Sequence, residues 1–229
     1  MSDLRQRFGQ PTLDVARGLI GLRLVRQADD EAAPRVGRIV EVEAYIGEED
    51  LASHARFGRT GRNAVMYGPP GIGYVYLVYG MYDCLNIVTE PPGRPAAVLV
   101  RAVEPFEGAD AIRAARVGWW RRRHPSAVPE RLEAEAKRLR QTADWALARG
   151  PGLVAAGFSI DRSMTGLDLL DRASPLRVEA AASDDRAPDV LATPRIGIAY
   201  AGSPWTEMPW RFVDGTSPSL SGPRHAARS

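Results

Sequence analysis

The sequence predicts an α+β protein, a single compact domain around a mostly antiparallel β-sheet with flanking helices. Its 229 residues suffice for one large hydrophobic core. Short alternating or apolar runs, typical of strands, recur along the chain. Helical and strand-like segments mix irregularly, without the βαβ rhythm of a parallel sheet. We expect one domain over residues 1–229, with flexible ends at 1–10 and 221–229.

Periodicity justifies each predicted element in chain order. Leu13, Ala16 and Leu19 recur at helical spacing, and a short strand follows at 22–25. Arginine-rich, helix-prone sequence fills residues 106–149 and is interrupted at His124-Pro125. Further strands are predicted at 38–46, 73–80, 85–89, 96–103, 167–171, 176–180, 195–200 and 210–213.

The composition limits the class of protein. Hydrophobic residues make up 45% of the chain and charged residues 25%, as in ordinary globular proteins, and no apolar run is long enough for a membrane span. A single cysteine, Cys84, can form neither an internal disulfide nor a thiolate zinc cluster, so we expect a protein of the reducing cytoplasm. The net charge of +2 is weak evidence for a nucleic-acid partner, because such proteins are usually more basic.

The strand at 38–46 carries the most suggestive polar residues. Strict alternation places Ile39, Glu41, Glu43 and Tyr45 on one face and apolar residues on the other. Two carboxylates on a strand are often merely solvated. Because this strand is otherwise apolar, a glutamate can instead lie at a pocket rim, where partial desolvation raises its pKa and makes it a usable general base.

Four tyrosines crowd into residues 74–82. Strand tyrosines usually serve packing, but a cluster that ends at a turn can also offer stacking surfaces to nucleic-acid bases. Tyr79 precedes Gly80, where the strand should turn. An enzyme that flips bases needs a side chain of this kind to fill the vacated stack.

Arginines form two further features. Arg56, Arg59 and Arg62 lie in a glycine-containing loop suited to phosphate contacts, although a merely solvated loop is an equal alternative. Arg101 stands in a strand rich in valine and alanine. A buried arginine needs a partner, and Glu43 is the natural candidate.

Several chemistries are excluded by missing motifs. The chain has no G-x-S-x-G, no Walker loop and no zinc-deaminase signature. Its three histidines are not spaced as metal ligands, and we expect no metal and no other cofactor. Lys137, the only lysine, is predicted to be an exposed helix residue, which leaves no good internal amine for Schiff-base chemistry. Water must then be the nucleophile.

Four segments occur in a telling order: Glu43-Ala44-Tyr45, SHARFGRTGRN, YVYLVYGMYDCLN and VLVRAVEP. Together they resemble the alkyladenine (3-methyladenine) DNA glycosylase family. Weaker resemblance in VARGLIG, GPGLVAAGFSI and RIGIAYAG extends the match over most of the chain, from about residue 10 to 220.

The resemblance implies a base-excision repair enzyme that binds double-stranded DNA through the minor groove, as a monomer away from membranes. It would flip alkylated or deaminated purines, such as 3-methyladenine or hypoxanthine, and hydrolyse the N-glycosidic bond, leaving an abasic site without lyase activity. Glu43 would activate the water, and Arg101 would hold that water and the carboxylate. A neutral base such as hypoxanthine would need an acid, for which His54 and ordered water are the candidates.

The resemblance also implies further site residues. Asn86 would clash with the exocyclic amino group of guanine and so protect the normal base. The implied base-binding residues are Tyr45, His54, Tyr76, Asn86 and Leu99. The implied DNA-binding residues are Tyr79 as the intercalating wedge, Met66, Tyr74, Arg59 and Arg62.

The chain departs from the family pattern at three places. Gly61 stands where many relatives have proline, and Leu153 where many have lysine. The aromatic and basic stretch at 118–125 is unlike the family and indicates either an added DNA contact or a packing insertion. Two rival functions remain, a non-catalytic damaged-DNA-binding module of the same fold and an enzyme acting on free nucleosides.

Overall fold

One antiparallel sheet organises the protein, whose structure, a computed structural model, describes residues 2–27, 33–78 and 80–222. Within these residues the chain forms five α-helices and eight strands. The helices are α1 Ser2–Phe8, α2 Thr12–Leu19, α3 Ala109–Arg123, α4 Pro129–Gln141 and α5 Pro151–Gly157. The strands are β1 Arg23–Arg26, β2 Arg35–Ile46, β3 Gly73–Val78, β4 Tyr82–Val88, β5 Ala96–Glu107, β6 Leu176–Glu179, β7 Val190–Thr193 and β8 Arg211–Asp214.

The strand order is β3-β4-β5-β2-β1-β6, and β8 joins β2 and carries β7 on its other side. Every pairing is antiparallel. Helices α2 and α5 pack on the sheet, α3 packs on α5, and α4 packs on α3. The predicted α+β class is therefore confirmed.

Strand β2 lies at the centre of the sheet and carries both glutamates. Register shifts against β5 interrupt its alternation around Glu41. Ile39 consequently packs in the main core with Val42, whereas Val40 packs in a separate cluster with residues of β5 and β8. The prediction that Ile39 shares the face of the glutamates is wrong, because an extra residue in one strand reverses the faces beyond it.

Most predicted elements are confirmed, including α2, the break after α3 at His124 and seven of the predicted strands. The strands predicted at 167–171 and 195–200 are wrong. Residues 167–171 form turns with a single bridge between Ile72 and Asp168. At 195–200 the positive φ of Gly197 interrupts an extended path, and a short 3-10 helix follows. The strand β7 was not predicted.

The described structure includes parts of both predicted flexible ends. Helix α1 begins at Ser2, and Phe8 at its end is buried in the main core. Residues 1 and 223–229 lie outside the described residues, so flexible ends remain a prediction. No helix within the described part of the chain is long and apolar enough to cross a membrane.

Candidate active site

Glu43, on β2, has no exposed surface and accepts three hydrogen bonds. Its Oε2 accepts from the Tyr45 hydroxyl at 2.9 Å and from Arg101 Nη1 at 3.1 Å. Its Oε1 accepts from the backbone N–H of Ile196 at 2.7 Å. The predicted pairing of Arg101 with Glu43 is confirmed. The three donors hold the carboxylate in one orientation.

Glu41 lies two residues earlier and has a different environment. Its Oε1 accepts from Arg101 Nε at 3.0 Å, Arg211 Nε at 2.8 Å and the Ser221 hydroxyl at 2.8 Å, and its Oε2 accepts from the Ser221 backbone N–H. Burial acts to raise the pKa of Glu41, but the charges of Arg211 and Arg101 outweigh it and hold that pKa below its usual value. Glu41 is thus an anchor for two arginines and a poor base. Sequence analysis did not single out Arg211 or Ser221.

A cleft of about 450 Å³ opens beside these carboxylates. Its volume suits a small aromatic ligand. Arg101 and Ile196, both bonded to Glu43, reach its wall. The cleft also includes the predicted base-binding residues Tyr45, His54, Tyr76 and Leu99.

His54 is packed among aromatic rings. Its Nδ1 lies 3.0 Å from the Tyr74 hydroxyl, and its ring meets Tyr76 edge-on with centroids 4.2 Å apart. Burial, together with the charges of Arg62 and Arg56, lowers the pKa of His54 to about 4. The imidazole is therefore neutral at pH 7.

A smaller cavity of about 40 Å³ is lined by the same aromatic rings. Asn86 lines it and donates from Nδ2 to the carbonyls of Tyr74 and Cys84, at 3.1 and 3.3 Å. Met66 and Tyr74 also line it, each only 2% exposed. Both side chains form part of the cavity wall, and their predicted contact with DNA stays a prediction.

The arginine loop lies at the mouth of the cleft. Arg59 and Arg62 are exposed, as a phosphate-contacting role requires. Arg59 stacks over the Tyr67 ring, and Arg62 stacks over Tyr76 and donates to the Leu77 carbonyl. Their contact with DNA stays a prediction.

Tyr79, the predicted wedge, lies outside the described residues. The strands on either side of it are described: β3 ends at Val78 and β4 begins at Tyr82. Val78 pairs with Tyr82 across this turn. The intercalating role of Tyr79 stays a prediction.

A buried ion pair that sequence analysis missed supports the site from below. Arg195 binds Asp50 through two hydrogen bonds of 2.6 and 3.0 Å, and neither side chain has exposed surface. The guanidinium lies 4.9 Å from the ring centroids of both Tyr45 and Trp210. Arg195 thereby fixes Tyr45, the tyrosine that donates to Glu43. Arg195 also directly precedes Ile196, whose backbone N–H donates to Glu43. An arginine in the apolar run 195–200 was the available signal, the same one that marked Arg101.

Tyr200 is a second missed residue. Tyr200 lines both the cleft and the smaller cavity and is 63% exposed. Its hydroxyl donates to the Ala52 carbonyl at 3.1 Å, and Arg56 stacks over its ring. A large exposed ring held in place from both sides is a ready stacking surface.

Among residues 2–27, 33–78 and 80–222, no group of three or more histidine, cysteine, aspartate or glutamate side chains could hold a metal ion. Lys137 is exposed on α4, as predicted.

Comparison with known proteins gives the family of this chain. The family model of methylpurine-DNA glycosylase (MPG) matches residues 6–218. A protein of Methanocella arvoryzae named "Putative 3-methyladenine DNA glycosylase" is 44% identical over 218 residues, which cover 95% of this chain and 94% of the relative.

Two bacterial relatives carry the same name. The protein of Streptomyces avermitilis is 38% identical over 219 residues, covering 95% of this chain and 89% of its own. The protein of Bacillus cytotoxicus is 38% identical over 214 residues, covering 92% and 94%. This chain therefore belongs to the methylpurine-DNA glycosylase family.

Proposed function

We propose that this protein is a monofunctional DNA glycosylase that flips alkylated purines out of duplex DNA and hydrolyses their N-glycosidic bond with water activated by Glu43. Bases such as 3-methyladenine carry a positive charge and leave without protonation, so one base and good positioning suffice. The bond would break through an oxocarbenium-like sugar. The product is an abasic site in an intact strand.

The bonding of Glu43 carries this proposal. A carboxylate has about four acceptor positions, and the protein fills three of them with Tyr45, Arg101 and Ile196. One position on Oε1 is left for the water. Two of the three donors to Glu43 are uncharged, and the third is Arg101. Glu41 accepts from two arginines, Arg101 and Arg211. Of the two glutamates, Glu43 is therefore the one that we assign as the base.

Binding of the flipped base is assigned to the aromatic residues of the cleft. Tyr45, Tyr76 and His54 would stack on the base, and Leu99 would close one wall. Burial and the neighbouring charge of Glu43 raise the pKa of Tyr45 well above 10, so this hydroxyl keeps its proton as a donor to Glu43. Hypoxanthine would be a slower substrate, because neutral His54 is a weak acid at pH 7.

Water is the proposed nucleophile because the only lysine cannot serve. Lys137 is exposed on α4, which packs on α3 and not on the sheet. We therefore propose that the enzyme forms no covalent intermediate with DNA. The partner is double-stranded DNA, and a monomer suffices because all proposed groups belong to one chain.

The test is a panel of duplexes that each carry one lesion: 3-methyladenine, 7-methylguanine, hypoxanthine or ethenoadenine. Release of the free base, with alkali-sensitive but otherwise intact strands and no borohydride-trapped adduct, is the expected result. Tight binding to every lesion without release would instead support a non-catalytic damage-binding module. Release from free nucleosides at equal rates would support the nucleoside enzyme.

A further inference from the structure

The aromatic and basic end of α3 is attached to the β3–β4 turn. Trp119 stacks on Tyr82 at the start of β4, with ring centroids 5.0 Å apart and planes at 14°. Arg123 stacks over Trp119 and donates to the Gly80 carbonyl at 2.9 Å. The stretch at 118–125 is thus joined to Gly80 and Tyr82, which follow the predicted wedge in the sequence.

Arginines continue from this helix end along the edge strand β3. A wide groove of about 940 Å³ includes Arg122, Arg123 and Arg162 in its lining. A second groove, of about 380 Å³, runs along β3 between Arg162 and Arg62. Arg62 also borders the base cleft. We call these four residues the arginine strip.

The strip has an excess of positive charge. Asp83 pairs loosely with Arg162 at 3.6 Å, and Asp161 caps a short 3-10 helix. Arg122 is exposed and has no acidic partner among the described residues. Its guanidinium is therefore available to a ligand.

We propose that the arginine strip binds the phosphates of duplex DNA beyond the flipped nucleotide, so that Arg122, Arg123 and Arg162 extend the contact made by the arginine loop. This inference rests on the proposed function. Guanidinium groups match phosphate oxygens in shape and charge. The strip passes the β3–β4 turn and reaches the base cleft, so a strand that delivers its base to the cleft runs along it.

A purely structural role makes a different prediction. Cations at a helix C-terminus stabilise the helix through its dipole. In that case Arg122 matters to thermal stability and not to DNA. The dependence of DNA binding on salt separates the two roles, because each phosphate contact adds about 0.9 to the slope of log K against log salt.

The experiment measures binding to one duplex that carries a single tetrahydrofuran abasic site, from 50 to 300 mM KCl. The variants are Arg122→Ala, Arg122→Lys and the control Arg140→Ala. Arg140 is exposed on α4 near its end, and Arg113 joins this end to the beginning of α3 by donating to the carbonyls of Leu139 and Thr142. Arg140 therefore lies near the beginning of α3, about 15 Å along that helix from the arginines of the strip at its other end.

We expect Arg122→Ala to lower the salt slope by about 0.9 and Arg122→Lys to keep it, with the Arg140→Ala slope equal to wild type. Single-turnover base release by Arg140→Ala should equal that of wild type. Equal slopes for Arg122→Ala and wild type would overturn the strip while leaving the glycosylase intact. If Arg122→Ala lowers the slope but the wild-type protein releases no base, the proposed glycosylase activity would be contradicted and the proposed phosphate contact supported.

Discussion

The backbone N–H of Ile196 donates to Oε1 of Glu43 over 2.7 Å, joining residues that lie 153 positions apart. Ile196 follows the buried Arg195, whose side chain pairs with the buried Asp50. The donor is therefore held by an ion pair and not by a strand. Glu43 keeps its orientation because the fold supplies bonds from both sides.

Replacing Glu43 by glutamine should remove base release and spare DNA binding. Glutamine keeps the shape of the side chain but cannot take a proton from water, so the single-turnover rate should fall by about 10²–10⁴. Affinity for an abasic-site duplex should stay within a few-fold of wild type. Near-normal release by this variant would transfer the role of base to another group.

Asp50→Asn should destabilise the protein strongly. The change leaves the Arg195 charge buried without its carboxylate, at a cost of about 3–5 kcal/mol in the free energy of unfolding. The exposed pair Arg5–Asp168 provides the control, because Asp168→Asn should cost about 0–1 kcal/mol. Urea denaturation measures both. Similar losses in the two variants would mean that burial of the Arg195 pair has no special effect.

The low pKa of His54 predicts a loss of stability in acid. The folded protein holds this pKa at about 4, while in the unfolded chain it returns to about 6.5. As the pH falls from 6.5 to 4, the unfolded chain therefore binds a proton that the folded protein does not. The free energy of unfolding should decrease across this window, and less so in His54→Gln. Identical pH profiles for the two proteins would contradict the shift.

Asn86→Ser should relax discrimination against guanine. Two hydrogen bonds from Nδ2 hold the wild-type Asn86 amide against the cavity wall. The shorter serine side chain removes the amide group that would clash with guanine. Release of normal guanine from an undamaged duplex should rise by about 10-fold or more. Release of 3-methyladenine serves as the internal control and should change little. An unchanged guanine rate would show that another residue excludes it.

Tyr79→Ser tests the wedge predicted from the sequence. If the tyrosine fills the gap left by the flipped nucleotide, the variant should lose release from paired duplexes and retain more of it on mismatched or single-stranded substrates. Its melting temperature should be nearly that of wild type. An equal loss on all three substrates, with a lower melting temperature, would indicate a packing role instead.

The class of fold and most of the elements could be predicted from local patterns in the sequence. Helical spacing in α2 and alternation in β2 and β3 follow from backbone geometry that acts over a few residues. The same local patterns wrongly predicted strands at 167–171 and 195–200. The first segment forms turns, and the second contains the buried Arg195 and the positive φ of Gly197. The sequence also predicted the base-binding residues that line the cleft, through its resemblance to a family.

The different environments of the two glutamates are visible only in the folded protein. Glu41 and Glu43 are equivalent in the sequence, two polar positions on one strand. The fold brings Arg211 and Ser221 to Glu41, from 170 and 180 residues away, and brings Ile196 to Glu43. Proton affinity depends on the charges and donors within a few ångströms. Those neighbours come from distant parts of the chain, so no local pattern could reveal them.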